Sequence, residues 1–270
     1  MVSKVSLKNL RVLVRGAGEM ASGVAHRLCR AGFWVVMTEV PEPLAVRRAV
    51  SFCEAVYEGH KTVEGLTARL VPNPAAAPAV WAQGELPVLV DPEMTCRHEL
   101  APQVVVDALL AKRNLGLTPD LAPLTIGLGP GFAAPEDAHL VIETHRGHNL
   151  GRLIYQGATL PNTGIPGEMG GYTHQRVLRS PGDGVFRALV ELGDKVSAGQ
   201  AIGLVGGQEA TAQVGGVLRG LIRPGITVQK DWKIGDVDPR NQAEYLDTIS
   251  EKARAIGGSV LEGILHAFNR

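Results

Sequence analysis

The sequence predicts an α/β protein made of a parallel-sheet domain, a small all-β module and a C-terminal helix. Three observations predict it. A strand, a glycine turn, a helix and a second strand open the chain; short apolar runs then recur at α/β spacing to about residue 144. From about Arg179 the texture changes to short strands between glycines, and that stretch repeats itself at an offset of 32 residues, Gly184 onto Gly216. A length of 270 residues suits two domains rather than one.

Composition agrees and excludes several classes. The chain is 45% hydrophobic and 20% charged, ordinary for a protein with a real core. Aromatics are only 4%, so Val, Leu, Ile and Ala must fill that core, and 33 glycines with 17 prolines favour tight turns over a helical bundle. Basic and acidic residues balance at 27 each, which leaves no general positive field for nucleic acid or anionic membrane. Cys29, Cys53 and Cys96 follow no metal-binding or CxxC spacing, as expected of reduced thiols in the cytoplasm. Met1–Val5 lacks a signal-type apolar region and no run of about 18 apolar residues occurs, so a soluble, cytoplasmic protein is expected.

Taken in order, residues 10–15 form a short buried strand and Gly16-Ala17-Gly18-Glu19-Met20-Ala21 the turn after it. A helix then runs through Val24 and Leu28 to Gly32, and residues 33–39 make the second strand, stopped by Pro41 and Pro43. This is a βαβ unit, hence a parallel sheet with right-handed crossover. Further strands are expected at 86–90, 104–107, 124–128 and 140–144, with a helix at 108–112 and a Pro/Ala-rich loop from Val71 to Ala82. The two copies of the later repeat, each too small to bury a face alone, should pair into a two-fold sandwich. Asp238-Pro239 reads as a helix start, and the apolar stripe from Leu246 to Leu265 as a helix bent or split at Gly257-Gly258. The expected boundaries are 1–155, a connecting segment 156–178, the β module 179–240 and the helical segment 241–270.

The chemistry gathers where strands end. Gly16-x-Gly18-x-x-Ala21 fits the dinucleotide fingerprint of a Rossmann-like sheet: one glycine for the tight turn, one for close approach to a pyrophosphate, a small residue for helix–strand packing. Glu19 and Met20 lie in the helix's first turn, whose free N–H groups attract phosphate, although a purely structural turn has the same letters. Glu39, 21 residues past Gly18, stands where an acid bonds ribose hydroxyls in NAD sites. A second turn, Gly129, Gly131 and Phe132, and the stretch Glu143, Thr144, His145, Arg146 through His148 and Arg152 suit an anionic ligand; their bland readings are positive-φ turns and solvated charges. His145 and His148 lack a third ligand, so no metal is expected. Asp91, Asp107 and Glu143 are acid/base candidates by position only, and no catalytic residue is assigned.

The repeat resembles the biotinyl/lipoyl-type barrel-sandwich hybrid. The interval between its halves, Gly206 to Gly215, holds no lysine, so covalent biotin or lipoate is not expected. The chain also resembles the YqeB-type accessory family of selenium-dependent molybdenum hydroxylase systems, through Val14–Ala21, Ile126–Phe132, Ile142–His148, Leu218–Ile222 and Lys233–Arg240. It is more distantly similar to the Rossmann-type chaperones that deliver molybdenum cofactor. The resemblance implies a maturation factor that binds a phosphate-bearing nucleotide, NAD or a molybdopterin-type ligand, with the hydroxylase or its maturation machinery as partner, or a second copy of the chain. An NAD-dependent oxidoreductase and a non-catalytic docking module are the alternatives.

Overall fold

The chain is described by a computed structural model covering Leu7 and residues 10–269; the reading of Met1–Val5 lies outside the described residues. Two units form: residues 1–43, 51–162 and 249–270 in one, 44–50 and 163–248 in the other. The expected linear boundaries therefore do not describe the molecule. A seven-residue segment leaves the first unit early, and the last helix returns to it.

In the first unit the elements run β1 (Arg11–Arg15), α1 (Glu19–Arg30), β2 (Trp34–Glu39), α2 (Ala55–Glu58), β3 (His60–Val63), β4 (Leu66–Leu70), α3 (Ala77–Ala82), β5 (Leu86–Val90), α4 (Arg97–Leu100), β6 (Val104–Asp107), β7 (Leu124–Leu128), β8 (Ala133–Ala134), β9 (Leu140–Ile142), β10 (Leu153–Ile154) and β11 (Gly157–Ala158). Nine strands make one sheet in the order β10-β9-β7-β6-β1-β2-β5-β4-β3, and β8 pairs with β11 apart from it. The strands from β4 to β9 are parallel, while β3 and β10 are antiparallel edges.

This corrects the expected fold class. The sheet is mixed, not parallel, and wider than a Rossmann-like domain requires. One edge is a β3–β4 hairpin turned by Glu64 (φ 44°) and Gly65 (φ 75°), both left-handed as a two-residue hairpin demands. The connections from β6 to β7 and from β7 to β9 carry no α-helix. The helix expected at 108–112 is absent because Asp107 Oδ1 accepts the Leu109 N–H, and Leu110 and Lys112 turn to φ 54° and 64°. A short polar side chain bonding the backbone two residues on competes with helix formation. Conversely, the expected loop 71–82 contains α3, with proline in its first turn where the missing N–H costs nothing.

The C-terminal helix is α5 (Glu251–Phe268), unbroken at Gly257-Gly258 and capped by Ser250, whose hydroxyl accepts the Ala253 N–H. Asp238-Pro239 does not start it; Asp238 ends a strand and accepts hydrogen bonds from Arg219 and Arg240. Helix α5 packs along α1. A Cβ on Gly23 would lie 2.7 Å from that of Ala253, and one on Gly257 2.9 Å from the Gly23 carbonyl oxygen. The matched order of these contacts makes the two helices parallel, with both N-termini at the carboxyl end of β1. Beneath them lie Val12, Val14, Ala21, Val24, Ile256, Val260 and Ile264, all buried.

The second unit contains β12 (Val177–Arg179), β13 (Gly184–Ala188), β14 (Lys195–Val196), β15 (Ala201–Val205), β16 (Gln208–Thr211), β17 (Gly216–Leu221), β18 (Thr227–Val228) and β19 (Lys233–Asp238). They form two antiparallel four-stranded sheets, β12-β19-β17-β14 and β16-β15-β13-β18. The repeat sets β13, β14 and β15 on β17, β18 and β19, and the copies exchange partners: β13 pairs with β18, and β17 with β14. The expected free-standing barrel-sandwich of residues 179–240 is corrected as well. The unit takes in the 44–50 segment, where the Leu221 N–H donates to the Val46 carbonyl at 2.8 Å, and the 163–178 stretch that supplies β12. Buried arginines tie these pieces in: Arg47 donates to the Arg219 and Tyr245 carbonyls, and Arg176 to Asp236.

Candidate ligand-binding site

The site is built on the turn between β1 and α1. Gly16 adopts φ 90°, and its N–H donates to the Thr38 carbonyl at 2.8 Å. The Ala17 N–H donates to Glu39 Oε2 and the Val40 N–H to Oε1, each at 2.8 Å. From the other side, the Ala17 carbonyl accepts the Cys53 N–H at 2.9 Å and the Ser22 hydroxyl at 3.0 Å. The same hydroxyl accepts the Phe52 N–H at 2.8 Å. Gly18 is the N-cap of α1. It offers no side-chain cap, its φ of −70° is open to any residue, and nothing lies within 4 Å of where a Cβ would be. Ala21 is buried against the sheet, while Glu19 and Met20 are half-buried in the first turn. The first amides of a helix have no partner within it, and among the described residues nothing lies within 4 Å of a Cβ placed on Gly18, so the N-terminus of α1 is open at that residue.

Glu39 has a different task from the expected one. Both its oxygens hold main-chain N–H groups of the turn, and burial raises its pKa above the usual carboxylate value against the pull of those donors. It organises the turn.

The second glycine turn is filled by protein. A Cβ on Gly129 would meet Thr144 and Leu110, and one on Gly131 would sit 2.5 Å from the Arg113 main chain. Phe132 packs over Gly127 in the core with Leu13, Val105 and Leu117. Thr144 is buried against Gly129. Glu143, also buried, accepts the His145 N–H at 2.7 Å and the Leu160 N–H at 2.8 Å, anchoring the loop after β9. Arg146 reaches α5, where its guanidinium meets Glu251 at 2.7 Å. His148 and Arg152 line an open depression of about 470 Å³ on the same loop. The candidates thus separate into the α1 turn, with Arg146 toward α5, and residues that build the scaffold.

The acid/base candidates are also engaged. Asp91 caps the turn before α4 through Thr95 and Cys96 (2.9 and 2.7 Å); these hydrogen bonds outweigh its partial burial and hold its pKa below the usual value. Asp107 is buried, which raises its pKa, and pairs with Arg15 at 3.2 Å. Arg15 further donates to the Pro92 and Leu115 carbonyls. The Cys29 thiol is pushed up to about 12 by burial, and burial and Asp91 raise that of Cys96, so neither is a ready nucleophile. Among the described residues no group of three or more His, Cys, Asp or Glu is placed to hold a metal ion, and no helix is long and apolar enough to cross a membrane.

Sequence reading misses Lys252, the second residue of α5. It is half-buried and feels Arg146 as a like charge and Glu19, Glu143 and Glu251 as opposite charges. Its signal is faint: a lysine two positions after a serine cap, where acidic residues are preferred.

No protein-family profile matches the chain. A curated relative, "Uncharacterized protein YqeB" of Escherichia coli (strain K12), is 50% identical over 254 residues, 94% of this chain and 47% of the relative. The chain therefore spans about half the length of that relative. Solved structures similar to it include an aspartoacylase family protein from Mesorhizobium loti (12% identity, TM-score 0.28, 85% of each chain) and the ectoine utilization protein EutE (DoeB) from Ruegeria pomeroyi with product bound (13%, 0.26, 85% of each). Likenesses this distant carry no argument about fold or activity. The terms Rossmann and barrel-sandwich give way to the mixed nine-stranded sheet and the two antiparallel sheets.

Proposed function

We propose that this chain is a ligand-binding accessory protein that holds a small phosphate-bearing molecule at the N-terminus of α1. The observation that carries the reading is the uncapped, unobstructed Gly18. A 12-residue helix points its amide donors and the positive end of its dipole outward from the carboxyl ends of the parallel strands in the mixed sheet, and no side chain of its own closes that end. Glu39 and Ser22 hold the turn rigid, which lowers the ordering cost of binding. The role in maturing a molybdenum hydroxylase is supported by the resemblance of the residue runs alone. Among phosphate-bearing ligands, a nicotinamide dinucleotide gains no preference here, because the acid expected on its ribose already serves two backbone donors.

Thermal unfolding with NAD, cytidine diphosphate and a molybdopterin-type ligand tests the proposal, with Gly18→Asp beside the parent chain. A ligand at about 100 times its Kd should stabilise the parent by roughly 2.7 kcal/mol. The aspartate fits the open space, caps α1 and gains a few tenths of a kcal/mol, while its charge meets the incoming phosphate. The expected result is an unchanged or higher Tm for the variant and loss of its ligand response. A variant that responds like the parent, or a parent stabilised by none of the three, overturns the proposal.

A further inference from the structure

The two copies of the internal repeat are covered unequally. At the 32-residue offset, the stretch 188–194 that leaves β13 corresponds to 220–226 at the end of β17. In the second copy this stretch is covered by the 44–50 segment. The Leu221 N–H donates to the Val46 carbonyl at 2.8 Å, and Arg48 Nε donates to the Leu221 carbonyl at 2.7 Å. A Cβ on Gly220 would lie 2.7 Å from the Val46 side chain. Leu221 and Ile222 are each 1% exposed. Their counterparts in the first copy are not covered in this way: Leu189 is 54% exposed and Val190 half-buried. A single exposed leucine is ordinary; this one stands out because its counterpart is covered by a peptide segment. Beside it lies an open cleft of about 830 Å³, lined by Leu189, Glu191, Leu192 and Asp194 of the first copy and by Arg48 and Pro224. The copies also differ in charge, since Glu191 and Asp194 stand where the second copy has Arg223 and Ile226. Asp194 Oδ2 accepts the Glu191 N–H at 2.8 Å, while among the described residues no hydrogen bond or ion pair closes on the Glu191 carboxylate.

We propose that this cleft docks a peptide segment of a partner protein in which an apolar residue is followed by arginine, the chemistry of the chain's own residues 44–50. That segment is already committed to the second copy, so a partner supplies the occupant of the first. The apolar side chain covers Leu189 and Leu192, and the guanidinium meets the Glu191 carboxylate, a pairing that complementary charge favours over other partners. Recognition runs through side chains. The Leu189 N–H already donates to the Ile202 carbonyl at 2.9 Å, and Ala188 stands where Gly220 admits Val46, so the backbone pairing of the second copy is not repeated here. The proposal is independent of the ligand held at α1.

The probe is a fluorescently labelled peptide with the sequence of residues 44–50, and its control carries glutamate in place of both arginines. Each is titrated into the full chain, parent and variants, by fluorescence anisotropy. Glu191→Arg and Leu189→Ser alter exposed side chains, and an unchanged Tm shows that the fold is kept. The expected result is saturable binding to the parent, about tenfold weaker in Glu191→Arg, where repulsion replaces attraction, and several-fold weaker in Leu189→Ser, which removes apolar contact. The glutamate peptide should not bind, and the amide signals that shift on titrating the parent should fall in residues 188–194. A parent that binds neither peptide, or both alike, overturns the proposal, as do folded variants with parental affinity. Shifts confined to residues 220–226 overturn it too, because the peptide then exchanges with the chain's own segment. Should a variant lose its fold, the position of the shifts in the parent decides.

Discussion

Arg15 and Asp107 end neighbouring parallel strands on one face, and each is more than nine-tenths buried. Two such charges are tolerated because the guanidinium satisfies the carboxylate and two main-chain carbonyls, while Asp107 also holds the Leu109 N–H. Removing one partner leaves the other charged and buried, which costs about 3–5 kcal/mol. Asp107→Ala should fall at the low end, about 3 kcal/mol in urea unfolding, because Arg15 keeps its carbonyls; a loss below about 1 kcal/mol would show the pair open in solution. Residues of this kind limited what could be read in the site. Gly16 of the α1 turn was legible because its φ of 90° demands glycine there. The partners of Glu39, Glu143 and Asp91 were not, because a carboxylate capping backbone and one facing a ligand are the same letter.

At the level of elements, the α1–α5 contact shows that a glycine inside a helix can be a fit or a defect. Gly23 sits where a Cβ would lie 2.7 Å from Ala253 Cβ and 3.1 Å from its carbonyl oxygen, and the neighbouring backbone has no room to give. Gly258, in α5, has nothing within 4 Å. Alanine favours a helix over glycine by roughly 1 kcal/mol, so Gly258→Ala should stabilise by up to that amount. Gly23→Ala should destabilise by about 1–3 kcal/mol, because overpacking outweighs propensity. Opposite signs in paired unfolding curves are the check; matching signs would show that the helices separate freely. Periodicity placed both helices and the central strands. It failed at 108–112, where the Asp107 side chain overrode helical letters, and at the β3–β4 hairpin, whose Glu64-Gly65 turn is a weak signal beside Asn-Gly or Asp-Gly.

For the whole molecule, the exchange of segments between units is what linear reading could not supply. The 32-residue repeat was legible because both copies keep glycines at φ 143° (Gly184) and 153° (Gly216). The destination of residues 44–50 was not, since a seven-residue run carries no periodicity. The return of α5 to the first unit has a consequence for stability that domain boundaries drawn along the sequence would miss. Its Ile256, Val260 and Ile264 are fully buried, and Gly263 lies against Leu140 of β9. Burying three such side chains is worth about 5–9 kcal/mol at roughly 1.5–3 kcal/mol each, comparable to the entire 5–15 kcal/mol stability of a typical domain. A chain ending at Thr248 should therefore lose the cooperative unfolding of the nine-stranded sheet, read as collapse of amide exchange protection in β1, β6 and β7. If α5 were instead an appendage, those strands would keep full protection in the truncated chain.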